Sequence, residues 1–137
     1  MNADSPPSKK KEEIRFVGEL GHGMFGTVRL AETPTGEKRA VKIIQASSLK
    51  TPRARRNLKN EIAIMSKINH VNIVRLFGVK MRNEEYWLLL EYCGGGDLAE
   101  YIARMQRLSE HQTLFFFRQI LTALEFFAKH NMIHRDL

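Results

Sequence analysis

The chain has 137 residues, 43% of them hydrophobic and 27% charged, which suits one folded domain of about 100–200 residues and leaves no room for two. The formal charge is +7, and the single cysteine, Cys93, excludes an internal disulfide framework and a cysteine-rich zinc cluster. No apolar run approaches the roughly 18–20 residues of a membrane span, and Met1–Glu13 lacks the apolar stretch of a signal peptide, so the expectation is a soluble, cytoplasmic protein without a transmembrane segment.

Residues 1–13 carry Pro6, Pro7 and the Lys9–Lys11 run without periodicity and read as a flexible basic tail. Short strand-like runs follow at Ile14–Val17, Thr27–Leu30 and Lys38–Ile44, separated by glycines and by a Pro34-Thr35-Gly36 turn. Thr51-Pro52 is a helix start, a capping threonine followed by proline at the first helical position. Leu58, Ile62, Met65 and Ile68 then recur at helical spacing. Lys50, Arg53, Arg55, Arg56 and Lys59 form a basic cluster there, read as the solvated face of that helix. Two further strands are expected at Ile73–Phe77 and Tyr86–Tyr92, with Arg82–Glu85 as the turn between them.

Gly94-Gly95-Gly96 breaks the pattern. Asp97 with Glu100 can cap a short helix to Arg104, and Ser109 with Gln112 opens a long one to about His130, stopped by Asn131. Leu114–Phe117, Ile120, Leu121, Leu124, Phe126 and Phe127 cannot share one stripe of that helix. A helix apolar all round is covered by neighbours on several sides, so the chain reads as the front part of something larger, or as one whose phenylalanine-rich helix is covered by a partner.

Three features carry chemistry. Gly21-His22-Gly23-Met24-Phe25-Gly26-Thr27-Val28 lies between two strands, whereas the dinucleotide-binding fingerprint needs a strand and then a helix. A glycine-rich hairpin lets backbone N–H groups approach phosphate oxygens. Lys42 stands among Ala40, Val41 and Ile43, where an ammonium requires an anion unless it lies on an edge strand and reaches water. Glu61 on the following helix is a candidate partner, the other reading being an ordinary surface glutamate. The chain closes on His134-Arg135-Asp136-Leu137.

Taken together and in this order, the motifs resemble the eukaryotic protein kinases. Gly21-x-Gly23-x-x-Gly26-x-Val28 is similar to the family's phosphate-covering loop, and Arg39-Ala40-Val41-Lys42 to its third-strand lysine motif, with Arg39 in place of the usual valine. His134–Leu137 is similar to the start of its catalytic loop. The resemblance implies an α+β kinase-like fold: a five-stranded antiparallel small lobe with one helix (14–92), a hinge (93–97) and the first helices of a helical large lobe (98–137). It implies ATP and Mg²⁺ as cofactors and a protein as substrate. By the same resemblance Lys42 holds the α- and β-phosphates and pairs with Glu61, while Asp136 accepts the substrate hydroxyl proton. Ala40 and Val28 enclose the adenine with Leu20 beside them, and Leu90 is the gatekeeper. Glu91 and Cys93 offer hinge backbone groups, and Asp97 can reach the ribose. The stretch Glu91–Tyr101, with Leu108-Ser109-Glu110, Gln119-Ile120 and Gly21-His22-Gly23, is similar to the autophagy-initiating serine/threonine kinases.

The family's Mg²⁺-holding asparagine and Asp-Phe-Gly aspartate would lie beyond Leu137, so no metal ligand is expected within the chain, and residues 1–137 alone are expected to transfer no phosphate. The alternative is a non-catalytic module that binds nucleotide or a kinase partner. Nucleic acid is not an expected partner, because no nucleic-acid motif is present and no aromatic residue interleaves the basic cluster.

Overall fold

The computed structural model describes residues 14–23 and 26–134. Five strands, β1 (Arg15–Gly23), β2 (Gly26–Glu32), β3 (Lys38–Gln45), β4 (Leu76–Arg82) and β5 (Glu85–Glu91), form one antiparallel sheet in the order β1-β2-β3-β5-β4. A helix, α1 (Pro52–Met65), lies between β3 and β4, and α2 (Leu98–Met105) and α3 (Glu110–Lys129) follow the sheet. This is the expected fold class. The tail 1–13, Met24, Phe25 and Arg135–Leu137 lie outside the described residues.

The side-chain alternation of β3 organises the rest. Ala40, Lys42 and Ile44 share one face; in register with them stand Leu30 and Val28 on β2 and Leu90, Leu88 and Tyr86 on β5. Helix α1 covers part of this face. Thr51 caps it by accepting the Ala54 N–H at 3.1 Å, with Pro52 in the first turn as the sequence requires. Leu58 from α1 joins Ile44, Leu49, Leu76 and Leu88 in the core, and Ala54, Ile62 and Met65 pack against it. Leu88 is fully buried; burial of such a side chain contributes about 1.5–3 kcal/mol.

On the opposite face Val41 and Ala31 are fully buried. Long side chains form the cover. Phe16 and Trp87 meet edge to face at 5.1 Å, Arg29 lies 4.2 Å over Phe16, and Arg39 lies 4.0 Å over Phe77.

Two strands differ from expectation. Strand β1 runs through the glycines to Gly23 instead of stopping at Val17, because pairing with β2 satisfies its backbone groups where side chains supply no pattern. Irregularities between Phe16 and Gly18 and between Glu19 and Gly21 accommodate the twist. Strand β4 occupies Leu76–Arg82, not Ile73–Phe77. Its end is set by a two-residue turn, Asn83-Glu84, with φ of 49° and 61°, so Arg82 pairs directly with Glu85 and the strand runs up to the turn. Gly78, Lys80 and Arg82 hide that strand in the sequence.

In α2 and α3 the caps are as read. Asp97 Oδ1 accepts the Glu100 N–H at 2.7 Å, and Ser109 and Gln112 form a reciprocal capping box. Asn131 takes φ 54° after α3. Tyr101 of α2 meets Phe116 of α3 at 5.6 Å, but no residue of α3 is buried, and Leu114, Phe115, Phe117, Ile120 and Leu121 are exposed. Among the described residues no helix is long and apolar enough to cross a membrane.

Glu84 occupies a left-handed position that strains a side chain bearing a Cβ, while its carbonyl accepts the Ala46 N–H at 2.7 Å. Glu84→Gly keeps that bond and relieves the strain. It is expected to raise stability by about 0.5–1 kcal/mol in urea unfolding.

Candidate functional site

The sheet register brings five of the predicted residues, Gly21, Val28, Lys42, Ala40 and Leu90, together in two adjacent rows on the inner face. One row crosses the strands as Gly21, Val28, Lys42 and Leu88; the next as Gly18, Leu30, Ala40, Leu90 and Leu76. Alternation on β2 and β3 therefore puts Val28, Ala40 and Lys42 on one surface, with the glycine hairpin at its end. Ala40 is buried, Val28 and Leu90 are half-buried, and Leu20 is exposed on β1.

Lys42 Nζ lies 3.4 Å from Glu61 Oε1. The ammonium has the anion that its apolar strand neighbours call for, supplied by the edge of α1 that borders the core. This decides between the two readings of Lys42: it sits on the central strand β3, flanked by β2 and β5, and not at an edge. Its side chain keeps 28% exposure and that of Glu61 47%, so both remain open to a further partner from the cleft side.

The hairpin closes with Gly23 opposite Gly26 and His22 opposite Thr27. His22 Nδ1 also lies 2.8 Å from Glu19 Oε1, a contact within β1. A Cβ added at Gly21 would meet nothing within 4 Å, and one at Gly23 only the Gly26 carbonyl at 3.9 Å. Gly26 is different: at φ +142° its added Cβ would sit 1.9 Å from the Ile43 carbonyl oxygen. Gly26 is thus fixed by contact with β3, whereas the space around Gly21 and Gly23 is open. Open backbone above a half-exposed ammonium, beside an apolar wall of Val28 and Ala40, suits a flat ring carrying phosphate groups.

At the other end of the cleft Glu91 is tied to the segment before β4. Its N–H donates to the Arg75 carbonyl at 2.9 Å, and its Oε2 accepts the Arg75 N–H at 3.2 Å. Cys93 is exposed with a free thiol. Asp97 has one carboxylate oxygen engaged as the α2 cap. Met24, Phe25 and Asp136 lie outside the described residues. Among those described, no group of three His, Cys, Asp or Glu side chains could hold a metal ion.

A polar link escaped the sequence reading. Asn72, in the loop before β4, donates from Nδ2 to Gln119 Oε1 at 3.0 Å and accepts at Oδ1 from Thr122 Oγ1 at 2.9 Å, while His70 packs 5.2 Å from Phe126. These contacts join the sheet side to α3. Partners 47 and 50 residues apart leave no local signal.

The protein kinase domain model matches residues 14–137. The chain belongs to the protein kinase family. It is similar to the serine/threonine-protein kinase ATG1a of Arabidopsis thaliana, with 39% identity over 133 residues, covering 92% of this chain and 21% of that protein. It is also similar to the NUAK family SNF1-like kinase 2 of Homo sapiens, with 33% identity over 127 residues, covering 93% of this chain and 20% of the relative. The carbon catabolite-derepressing protein kinase of Saccharomyces cerevisiae shares 36% identity over 124 residues, covering 90% of this chain and 20% of that protein. The chain thus spans about a fifth of the length of these kinases. Protein kinases in general use ATP with Mg²⁺.

The glycines separate into two classes that a stability measurement resolves. Gly26→Ala is expected to destabilise the sheet by about 2 kcal/mol or more, from strain at positive φ and the clash with β3. Gly21→Ala, with open space around it, is expected to leave the thermal midpoint within about 2 °C of the parent.

Proposed function

We propose that this kinase-family chain forms the ATP-holding half of a protein serine/threonine kinase. The observation that carries the reading is the Lys42–Glu61 pair at 3.4 Å on the inner face, in register with Val28 and Gly21. Lys42 would hold the α- and β-phosphates, with Glu61 fixing its position, and backbone N–H groups of residues 21–26 would cover them. Val28, Ala40 and Leu20 would enclose the adenine, Leu90 would bound the pocket behind it, and the backbone of Glu91 and Cys93 would read its edge. Bound ATP supplies the phosphoryl group; Asp136 would accept the proton of the substrate hydroxyl. Among the described residues no three acidic, histidine or cysteine side chains converge at the cleft to hold Mg²⁺, and Glu61 and Asp97 serve Lys42 and the α2 cap.

The similarity to the kinase ATG1a, together with the Glu91–Tyr101 stretch, supports placement among the autophagy-initiating serine/threonine kinases.

Titration of the chain with ATP followed by calorimetry tests the reading. Saturable binding is expected, weakened on the order of tenfold by Lys42→Ala, which removes a charge-assisted contact to phosphate. Binding that is absent, or equal in the parent and Lys42→Ala, would sink it. A companion assay measures phosphate transfer to a serine-containing protein. Residues 1–137 alone are expected to show none. Transfer by this chain that Lys42→Met abolishes would overturn that expectation.

A further inference from the structure

Helix α1 carries a charge pattern that works against its own stability. From Lys50 to Asn60 there are five cations, Lys50, Arg53, Arg55, Arg56 and Lys59, and no acid. The first turn of α1 has no acidic residue and its last turn no basic one, although the helix dipole favours the reverse placement of the cations present. Arg53, Arg56 and Lys59 follow one another at three-residue steps, so like charges stand side by side on adjacent turns. They are exposed and, among the described residues, have no hydrogen-bond or ion-pair partner; Arg55 alone is engaged, through Nε, with the Leu49 carbonyl at 3.1 Å. The core side of the helix is occupied by Leu58 and Ile62, and its one engaged acid, Glu61, is held by Lys42. Among the described residues no acidic side chain offsets the outer row.

We propose that the outer face of α1 is a docking surface for an acidic peptide segment of a partner protein. The charge calls for an anion. Two of the three row residues are arginines, whose planar fork of donors matches carboxylates in pairs. The row is short and convex with no aromatic residue among its cations, which favours a narrow extended peptide over nucleic-acid bases, and a single exposed aliphatic side chain on that side of α1, Ile64, is too little apolar surface to insert into lipid. Because Glu61 faces the sheet, an occupant of this surface leaves the Lys42–Glu61 pair intact.

The test is titration of the chain with a fluorescein-labelled oligoglutamate peptide, followed by anisotropy at rising ionic strength. Saturable binding that weakens with salt is expected. The variant Arg53→Gln/Arg56→Gln/Lys59→Gln is expected to lose at least about tenfold in affinity, with an unchanged or higher thermal midpoint as the like-charge repulsion goes. Single Arg56→Gln should show a smaller loss in the same direction. A control of equal net charge, Lys38→Gln/Arg107→Gln/Lys129→Gln, is expected to stay within about twofold of the parent. Equal losses in both triple variants would mean bulk charge alone and overturn the proposal, as would no saturable binding. Tighter binding of phosphatidylserine vesicles or duplex DNA through the same three residues would also overturn it.

Discussion

Strand β3 is the constraint on which the rest depends. It is the middle of five strands, and its two-residue alternation decides at once what the helix packs on and what the cleft is lined with. Ala40, Lys42 and Ile44 point to one side; Val41 and Ile43 to the other. A slip of one residue in its pairing with β2 or β5 would bring Val41 to the cleft, send Lys42 into the aromatic and arginine cover, and separate Ile44 from Leu58. Core and site are thus written on the same strand, and the hydrophobic gain that fixes the first fixes the second.

The Lys42–Glu61 pair contributes little to holding the molecule together. At 3.4 Å, with both side chains partly exposed, solvent screening leaves it at most about 1 kcal/mol. Burial of Leu88 and its neighbours in the core outweighs that several times over. The pair matters for position: it makes the placement of a strand cation depend on the placement of a helix, so that any displacement of α1 is felt at the ammonium.

Much of this was legible in the sequence because it is local. Thr51-Pro52, Asp97 with Glu100 and Ser109 with Gln112 are caps whose hydrogen-bond partners lie three residues away, and each is present as read. The order of glycine hairpin, strand lysine and helix glutamate pointed to the candidate site, and antiparallel pairing brings Gly21, Val28 and Lys42 into one row. Strand β4 was misplaced because its residues alternate poorly and its limits are set by pairing with β5 and by Asn83-Glu84. Glu85 escaped notice for a similar reason. Its carboxylate receives Gln45 Nε2 at 2.6 Å and Trp87 Nε1 at 2.7 Å, the first from a residue 40 positions away. The cover over Val41 belongs to the same class, since stems of arginines from several strands fill a space that periodicity assigns to solvent.

The link from Asn72 to Gln119 and Thr122 has a mechanical consequence. The sheet side and α3 are joined there by short, directional bonds beside the His70–Phe126 ring contact, and the chain passes from β5 to α2 through Gly94–Gly96, where Gly96 takes φ +77°. A polar fastening beside a glycine-rich stretch of chain has the geometry of a pivot. Separation of the two parts at Asn72 would break hydrogen bonds, whereas a change in their angle about it need not. A rotation about that point would displace Asn72 least and the far end of the glycine hairpin most.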